Sequence, residues 1–202
     1  MNLIIFGGFL GSGKTSLILS LSHFLLENKN SVKSNVVIIE NEIGEIGVDD
    51  KVLEYSGLSV RELFSGCICC QLSSDLIITL NDIHEKIDPE WVIIETTGLA
   101  YPGRILSTLK EYGKNIDSIK IVTVVDGERF KELIAVTPVL ITNQIADGDI
   151  ILINKMDLVK EKELEQIKNH VKKLNPTAGL HMLSANTSTD KDIWKEVTGK
   201  YE

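Results

Sequence analysis

Residues 8–15 read GFLGSGKT, the GxxxxGKT spacing that closes backbone N–H groups around phosphate oxygens. Gly8, Gly11 and Gly13 leave the backbone bare of Cβ atoms where a phosphate must approach. The helix expected after the loop turns its positive end on the same anion. Lys14 adds a point charge for the β and γ phosphates, and Thr15 a hydroxyl for Mg2+. Ser12 and Ser16 join them as candidate nucleotide contacts. An apolar run at residues 3–6 precedes the loop and a helical pattern at 17–26 follows it. A nucleoside triphosphate is therefore the expected ligand.

A second motif selects the base. Residues 154–157 read NKMD, directly after an apolar run at 150–153. A carboxylate at Asp157 can accept from both the N1–H and the exocyclic amine of guanine, whereas adenine would leave it buried and unpaired. With Asn154 and Lys155 beside it, the expected nucleotide is GTP rather than ATP. Ser184 and Ala185, in the SAN of residues 184–186, are candidates to support the base through backbone N–H groups.

Residues 91–98 read WVIIETTG, a strand pattern ending in an acid with a glycine three positions on. An acid there can hold the Mg2+ shell through water, and a glycine N–H can detect the γ-phosphate. Lys14, Thr15, Glu95 and Gly98 thus form the candidate catalytic set. The alternative for Glu95 is a cap on the following turn.

Residues 66–70 read GCICC and contain all three cysteines of the chain. Cys67 and Cys70 have the spacing that brings two sulfurs to one ion, and Cys69 supplies a third. Such soft ligands suit Zn2+, with Co2+, Cu(I) or Ni2+ as other choices. A closed zinc site takes four protein ligands, so an open position is expected, filled by water, a carboxylate or a partner. The acid-rich segment 40–50, ENEIGEIGVDD, is the best internal source, with Glu42 and Glu45 leading. The same cysteines could instead be small buried hydrophobes or a redox pair.

Positioning these motifs requires strands that end where they begin. Apolar, β-branched runs at 3–6, 36–39, 91–94, 119–125 and 150–153 suit parallel strands buried on both faces, and 180–183 adds a sixth. Helical patterns at 72–87, 105–112, 129–134 and 158–174 alternate with them. The expectation is a three-layer α/β fold, a P-loop NTPase fold with a mainly parallel central sheet flanked by helices. Ligand would bind at the carboxyl ends of the strands. One domain is expected over residues 1–202, given 43% hydrophobic content.

A net charge of −8 argues against a general nucleic-acid binder, which needs a basic face. No run approaches the about 20 apolar residues of a membrane span. With no leader pattern before the first strand and no disulfide framework, a cytoplasmic setting is expected.

The motifs GGFLGSGKT, NEIGEIGVD, GCICC, ETTGL and QIADGDIILINKMDL, in this order over residues 4–158, resemble the CobW family of GTPases, relatives of UreG and HypB. The CxCC between phosphate loop and acidic strand end is the specific signature. The resemblance is to the family's GTPase domain. It implies a slow GTPase that binds a divalent metal, usually zinc and in some branches cobalt. It implies delivery of that metal to a client metalloprotein or a cofactor pathway, with a GTP-dependent homodimer as a further partner state. By position, Gly8, Gly11, Gly13, Lys14 and Thr15 would hold phosphates, Asn154, Lys155 and Asp157 guanine, and Cys67, Cys69 and Cys70 the metal. GTP is expected to order segment 40–50 and so couple γ-phosphate to metal. The rival readings are a metal-responsive GTP-binding module without turnover and a small-molecule P-loop kinase.

Overall fold

Strand and helix alternate as the apolar runs require. β1 (Asn2–Gly7) leads to α1 (Lys14–Glu27) and β2 (Val36–Glu40), followed by β3 (Leu53–Tyr55) and β4 (Leu58–Glu62). Next come α2 (Leu72–Lys86), β5 (Trp91–Glu95), α3 (Pro102–Tyr112) and β6 (Ser118–Asp126). α4 (Phe130–Val136), α5 (Pro138–Ala146), β7 (Ile150–Asn154), α6 (Glu161–Leu174), β8 (Gly179–Met182) and α7 (Lys191–Thr198) complete the order. The computed structural model describes residues 1–28, 35–40, 53–55, 58–62, 72–187 and 189–199.

The strands form one eight-stranded sheet in the order β3-β4-β2-β5-β1-β6-β7-β8. β3 runs antiparallel to β4, and the remaining neighbours pair parallel. β1 lies between β5 and β6, so chain order reverses on either side of it and a crevice opens at its carboxyl end. The phosphate loop occupies that crevice.

Alternation along the strands divides the core between two faces. Ile4, Phe6, Ile38, Ile93, Val122 and Leu152 pack with Leu17 and Leu21 of α1 and Trp194 of α7. Leu3, Ile5, Val37, Val92 and Ile94 face the other way, against Leu76, Leu80 and Ile83 of α2 and Leu109 of α3. Farther along that face, Ile151 and Ile153 meet Phe130, Leu133, Ile141, Ile145, Ile167 and Val171 from α4, α5 and α6. Fully burying one such Leu, Ile or Phe contributes about 1.5–3 kcal/mol, which is why strands buried on both faces are almost wholly apolar.

The mainly parallel α/β sheet matches the expectation, with three differences. β3 and β4 extend the sheet beyond the strands read from apolar runs. Residues 138–146, to which the sequence reading gave no element, form α5: Thr137 ends α4, and Pro138 takes the first helical turn, where its missing N–H costs nothing. The expected helix 158–174 starts later, at Glu161, after a short 3-10 turn at Met156–Leu158. Among the described residues no helix is long and apolar enough to cross a membrane.

Candidate functional site

Between β1 and α1 the chain makes a turn that only glycine permits at two points. Gly8 has φ +132° and Gly13 φ +96°. A Cβ at Gly8 would lie 2.2 Å from the carbonyl oxygen of Val124, and one at Gly13 would lie 2.2 Å from Asn154 Nδ2. Gly13 caps α1 without a side-chain hydrogen bond, leaving first-turn N–H groups to meet an anion. Ser12 is fully buried, and its hydroxyl has no hydrogen-bond partner among the described residues. A loop whose glycines let it fold tightly against Val124 and Asn154, with an orphaned hydroxyl and an open helix end, fits a polyphosphate.

Lys14 is 5% exposed and donates to the carbonyls of Gly8 at 3.1 Å and Phe9 at 3.4 Å. Burial lowers its pKa from the ordinary lysine value, while the charge of Glu95 opposes that shift. An incoming phosphate would supply the anion this ammonium lacks. Thr15 donates its hydroxyl to Glu95 at 3.0 Å to Oε1 and 3.1 Å to Oε2. Hydroxyl and carboxylate together form the hard oxygen set that Mg2+ accepts through few protein ligands, so the residues present fit that ion. Ser16 is exposed beside them, and Glu40 at the tip of β2 stands in register with Glu95.

After β5, Thr96 ties the chain to β1, donating both its N–H, at 3.0 Å, and its hydroxyl, at 2.9 Å, to the Phe6 carbonyl. Gly98 then passes so close to the phosphate loop that a Cβ would lie 2.4 Å from the Leu10 nitrogen. Glu95 and Gly98 thus lie on the Thr15 and Leu10 sides of one loop.

At the end of β7, Asn154 is 1% exposed and donates to the Ser12 carbonyl at 2.8 Å. Its Oδ1 accepts from the Ala185 N–H at 2.8 Å, so that N–H is engaged within the protein. Lys155 adopts φ +63° and extends to Asp126 Oδ2 at 2.8 Å. Asp157 is exposed and accepts a hydrogen bond from the Ser184 hydroxyl, which orients the carboxylate expected to read guanine.

The fold brings Gly8, Gly11, Ser12, Gly13, Lys14, Thr15, Glu95, Gly98, Asn154, Lys155, Asp157, Ser184 and Ala185 to one edge of the sheet. Cys67, Cys69, Cys70 and Glu42, with most of the acid-rich segment, lie outside the described residues. Among the described residues no group of three or more His, Cys, Asp or Glu side chains is arranged to hold a metal ion.

Three polar residues of this edge went unread in the sequence. Asp126 ends β6, is 2% exposed, and accepts from Arg129 Nε and Lys155 Nζ, each at 2.8 Å. Arg129 in turn donates to the Leu10 carbonyl at 2.6 Å. Gln144, in α5, is 1% exposed and reaches the loop after β5. An acid at a strand end, the pattern that singled out Glu95, would have found Asp126; a glutamine within an apolar helix carries no comparable signal.

The family model described as CobW/HypB/UreG, nucleotide-binding domain, matches residues 2–182. The chain is similar to zinc-regulated GTPase metalloprotein activator 1 of Dictyostelium discoideum, 28% identical over 87% of this chain and 44% of that protein. It is 31% identical to the zinc chaperone CobW of Sinorhizobium sp, over 81% of this chain and 53% of that one. The crystal structure of Zn(II)-bound YjiA GTPase from E. coli has a similar fold, with TM-score 0.70 and 23% identity over 100% of this chain and 63% of that one. The chain spans about half the length of the curated relatives it matches. With its phosphate loop, acidic strand end and NKMD turn assembled at one sheet edge and residues 2–182 matched throughout, the chain belongs to the CobW/HypB/UreG family.

Proposed function

We propose that this chain binds GTP with Mg2+, hydrolyses it slowly to GDP and phosphate, and couples nucleotide state to delivery of a divalent metal. Zinc is the favoured metal and cobalt the alternative; the recipient is a client metalloprotein or a cofactor-assembly protein. Residues 1–202 act in this reading as one GTPase domain, in the cytoplasm. The observation that carries the nucleotide half is the Thr15 hydroxyl on the Glu95 carboxylate, 3.0 Å apart, beside the buried Lys14.

Lys14 exchanges its two loop carbonyls for β and γ phosphate oxygens, and the N–H groups opening α1 hold the remaining oxygens. Thr15, and Glu95 through water, would hold Mg2+, which would supply charge neutralisation on the triphosphate. Gly98 donates its N–H to the γ-phosphate. Water then attacks the γ phosphorus, and GDP leaves with the bridging oxygen. Asp157, held by Ser184, selects guanine.

For the metal half, Cys67, Cys69 and Cys70 bind zinc as cargo, with Glu42 as the carboxylate that segment 40–50 brings when GTP is bound. The relatives named zinc chaperone and zinc-regulated GTPase metalloprotein activator support this reading. The coupling must be reciprocal. Zinc affinity measured with a non-hydrolysable GTP analogue and with GDP tests it, alongside phosphate release from GTP. Equal affinities in the two nucleotide states would remove the coupling. For the ligands, metal content of anaerobically purified protein is compared with a triple Cys67→Ser, Cys69→Ser, Cys70→Ser variant, and unchanged content would remove the cysteine assignment.

A further inference from the structure

Gln144 is a buried amide whose hydrogen bonds lie far from its own helix. Its Nε2 donates to the Gly98 carbonyl at 3.1 Å and to the Ala100 carbonyl at 2.9 Å. The anchor is firm, because the backbone carbonyl of Gln144 accepts from the Thr123 hydroxyl of β6 at 2.7 Å. Three residues farther on, Asp147 Oδ2 accepts from the Gly103 N–H at 2.9 Å, in the first turn of α3. A Cβ on Gly103 would lie 2.6 Å from that carboxylate, so the two are in close contact. Segment 98–103 is thus gripped at both ends by α5 and the residue that follows it. At the first grip the turn closes on itself, with the Ala100 N–H donating to the Thr97 carbonyl at 3.0 Å.

On its other side Gly98 rests against the phosphate loop at Leu10. The glycine is therefore held between the phosphate loop and the Gln144 amide. We propose that Gln144 is a positioning residue for phosphate sensing: its amide fixes the Gly98 carbonyl, and so sets where the Gly98 N–H meets the γ-phosphate. α5 becomes the element that registers whether that contact is made. This inference rests on the reading of Gly98 given under Proposed function. Only the GTP state uses the contact, so the clamp bears on GTP and on the transition state rather than on GDP.

The test compares Gln144→Met, which keeps length and apolar volume without a donor, with Gly98→Ala in the 202-residue protein. Phosphate release and the affinities for GDP and a non-hydrolysable GTP analogue are measured for each. Gln144→Met is expected to lower kcat about tenfold to a hundredfold, the effect of slight misplacement of a reacting group, and to erase the preference for the GTP analogue over GDP. A lower melting temperature with unchanged kcat and unchanged preference would leave Gln144 a packing role and overturn the proposal. If Gly98→Ala abolishes kcat and preference while Gln144→Met alters neither, the clamp alone fails. If Gly98→Ala alters neither, the reading of Gly98 fails and the clamp loses its purpose with it. Should Gln144→Met not fold, the side-chain amide resonances of Gln144 in the wild-type protein decide: they should shift between the GDP and GTP-analogue states, and identical resonances overturn the proposal.

Discussion

The side-chain amide of Asn154 donates to the backbone carbonyl of Ser12 at 2.8 Å, across 142 residues of sequence. The other end of the same amide accepts from Ala185, so one side chain joins the phosphate loop to the NKMD turn and to the segment after β8. Asn154→Ala would orphan a buried carbonyl and an N–H, at a cost of about 1–3 kcal/mol in stability. Because the phosphate cradle loosens whatever nucleotide enters, affinities for GTP and GDP should fall together, by about tenfold. Titration with fluorescent nucleotides and urea unfolding check this; a loss confined to GTP would contradict it.

Asp157→Asn tests base selection. Guanine offers two donors to a carboxylate, whereas an amide in the same place presents a donor of its own and suits the C2 oxygen of xanthine. GTP affinity should fall about a hundredfold while XTP affinity rises, read by competition binding. Equal losses for GTP and ATP analogues would show that Asp157 does not read the base.

Asp126 predicts an acid-sensitive step. Burial pushes its carboxyl upward, but hydrogen bonds from Lys155 and Arg129 outweigh burial, and the net shift is downward. Below about pH 4 the unfolded chain therefore binds a proton that the folded chain still excludes, so stability is lost as pH falls through that range. Asp126→Asn should flatten this part of the stability profile and cost about 2 kcal/mol at neutral pH, since two charge-assisted bonds are weakened. Chemical unfolding at pH 7 and below pH 4 provides the comparison, and parallel profiles would refute it.

What the sequence made legible is what local pattern encodes. The run WVIIE became β5 as Trp91–Glu95, and the GKT loop met its strand and helix at the expected places. Unbroken apolarity identifies a strand buried on both faces wherever it falls in the sheet. The same signal is absent from β3, the short edge strand, and from β4 beside it. α5 carries no comparable signal, because Pro138 and Gly148 stand close together and both are poor in a helix interior, although Pro138 starts the helix and Gly148 lies beyond its end. In the candidate site, spacing singled out Lys14, Thr15, Glu95 and Asp157, which the fold brings to one sheet edge. The bracing residues Arg129 and Gln144 act across 119 and 46 residues, and such contacts exist only once the sheet order is fixed.

Trp194 tests how α7 is held. It is 1% exposed, lies in the core shared with α1, and donates its indole N–H to the Ser20 hydroxyl at 3.3 Å. Trp194→Ala should cost about 3–5 kcal/mol, and Trp194→Phe much less because most of the volume is kept. Urea midpoints measure both; near-identical midpoints for wild type and Trp194→Ala would show α7 docked by other contacts.

The braces on the phosphate loop also bear on how the protein is made. Residues 8–15 leave the ribosome well before the side chains that hold Leu10 and Ser12, those of Arg129 and Asn154, which follow 119 and 142 residues later. Until those residues are made the nascent chain carries this loop without them. Capture of a guanine nucleotide therefore waits until β7 has joined the sheet, and it serves as a seal on assembled strands rather than a seed for them.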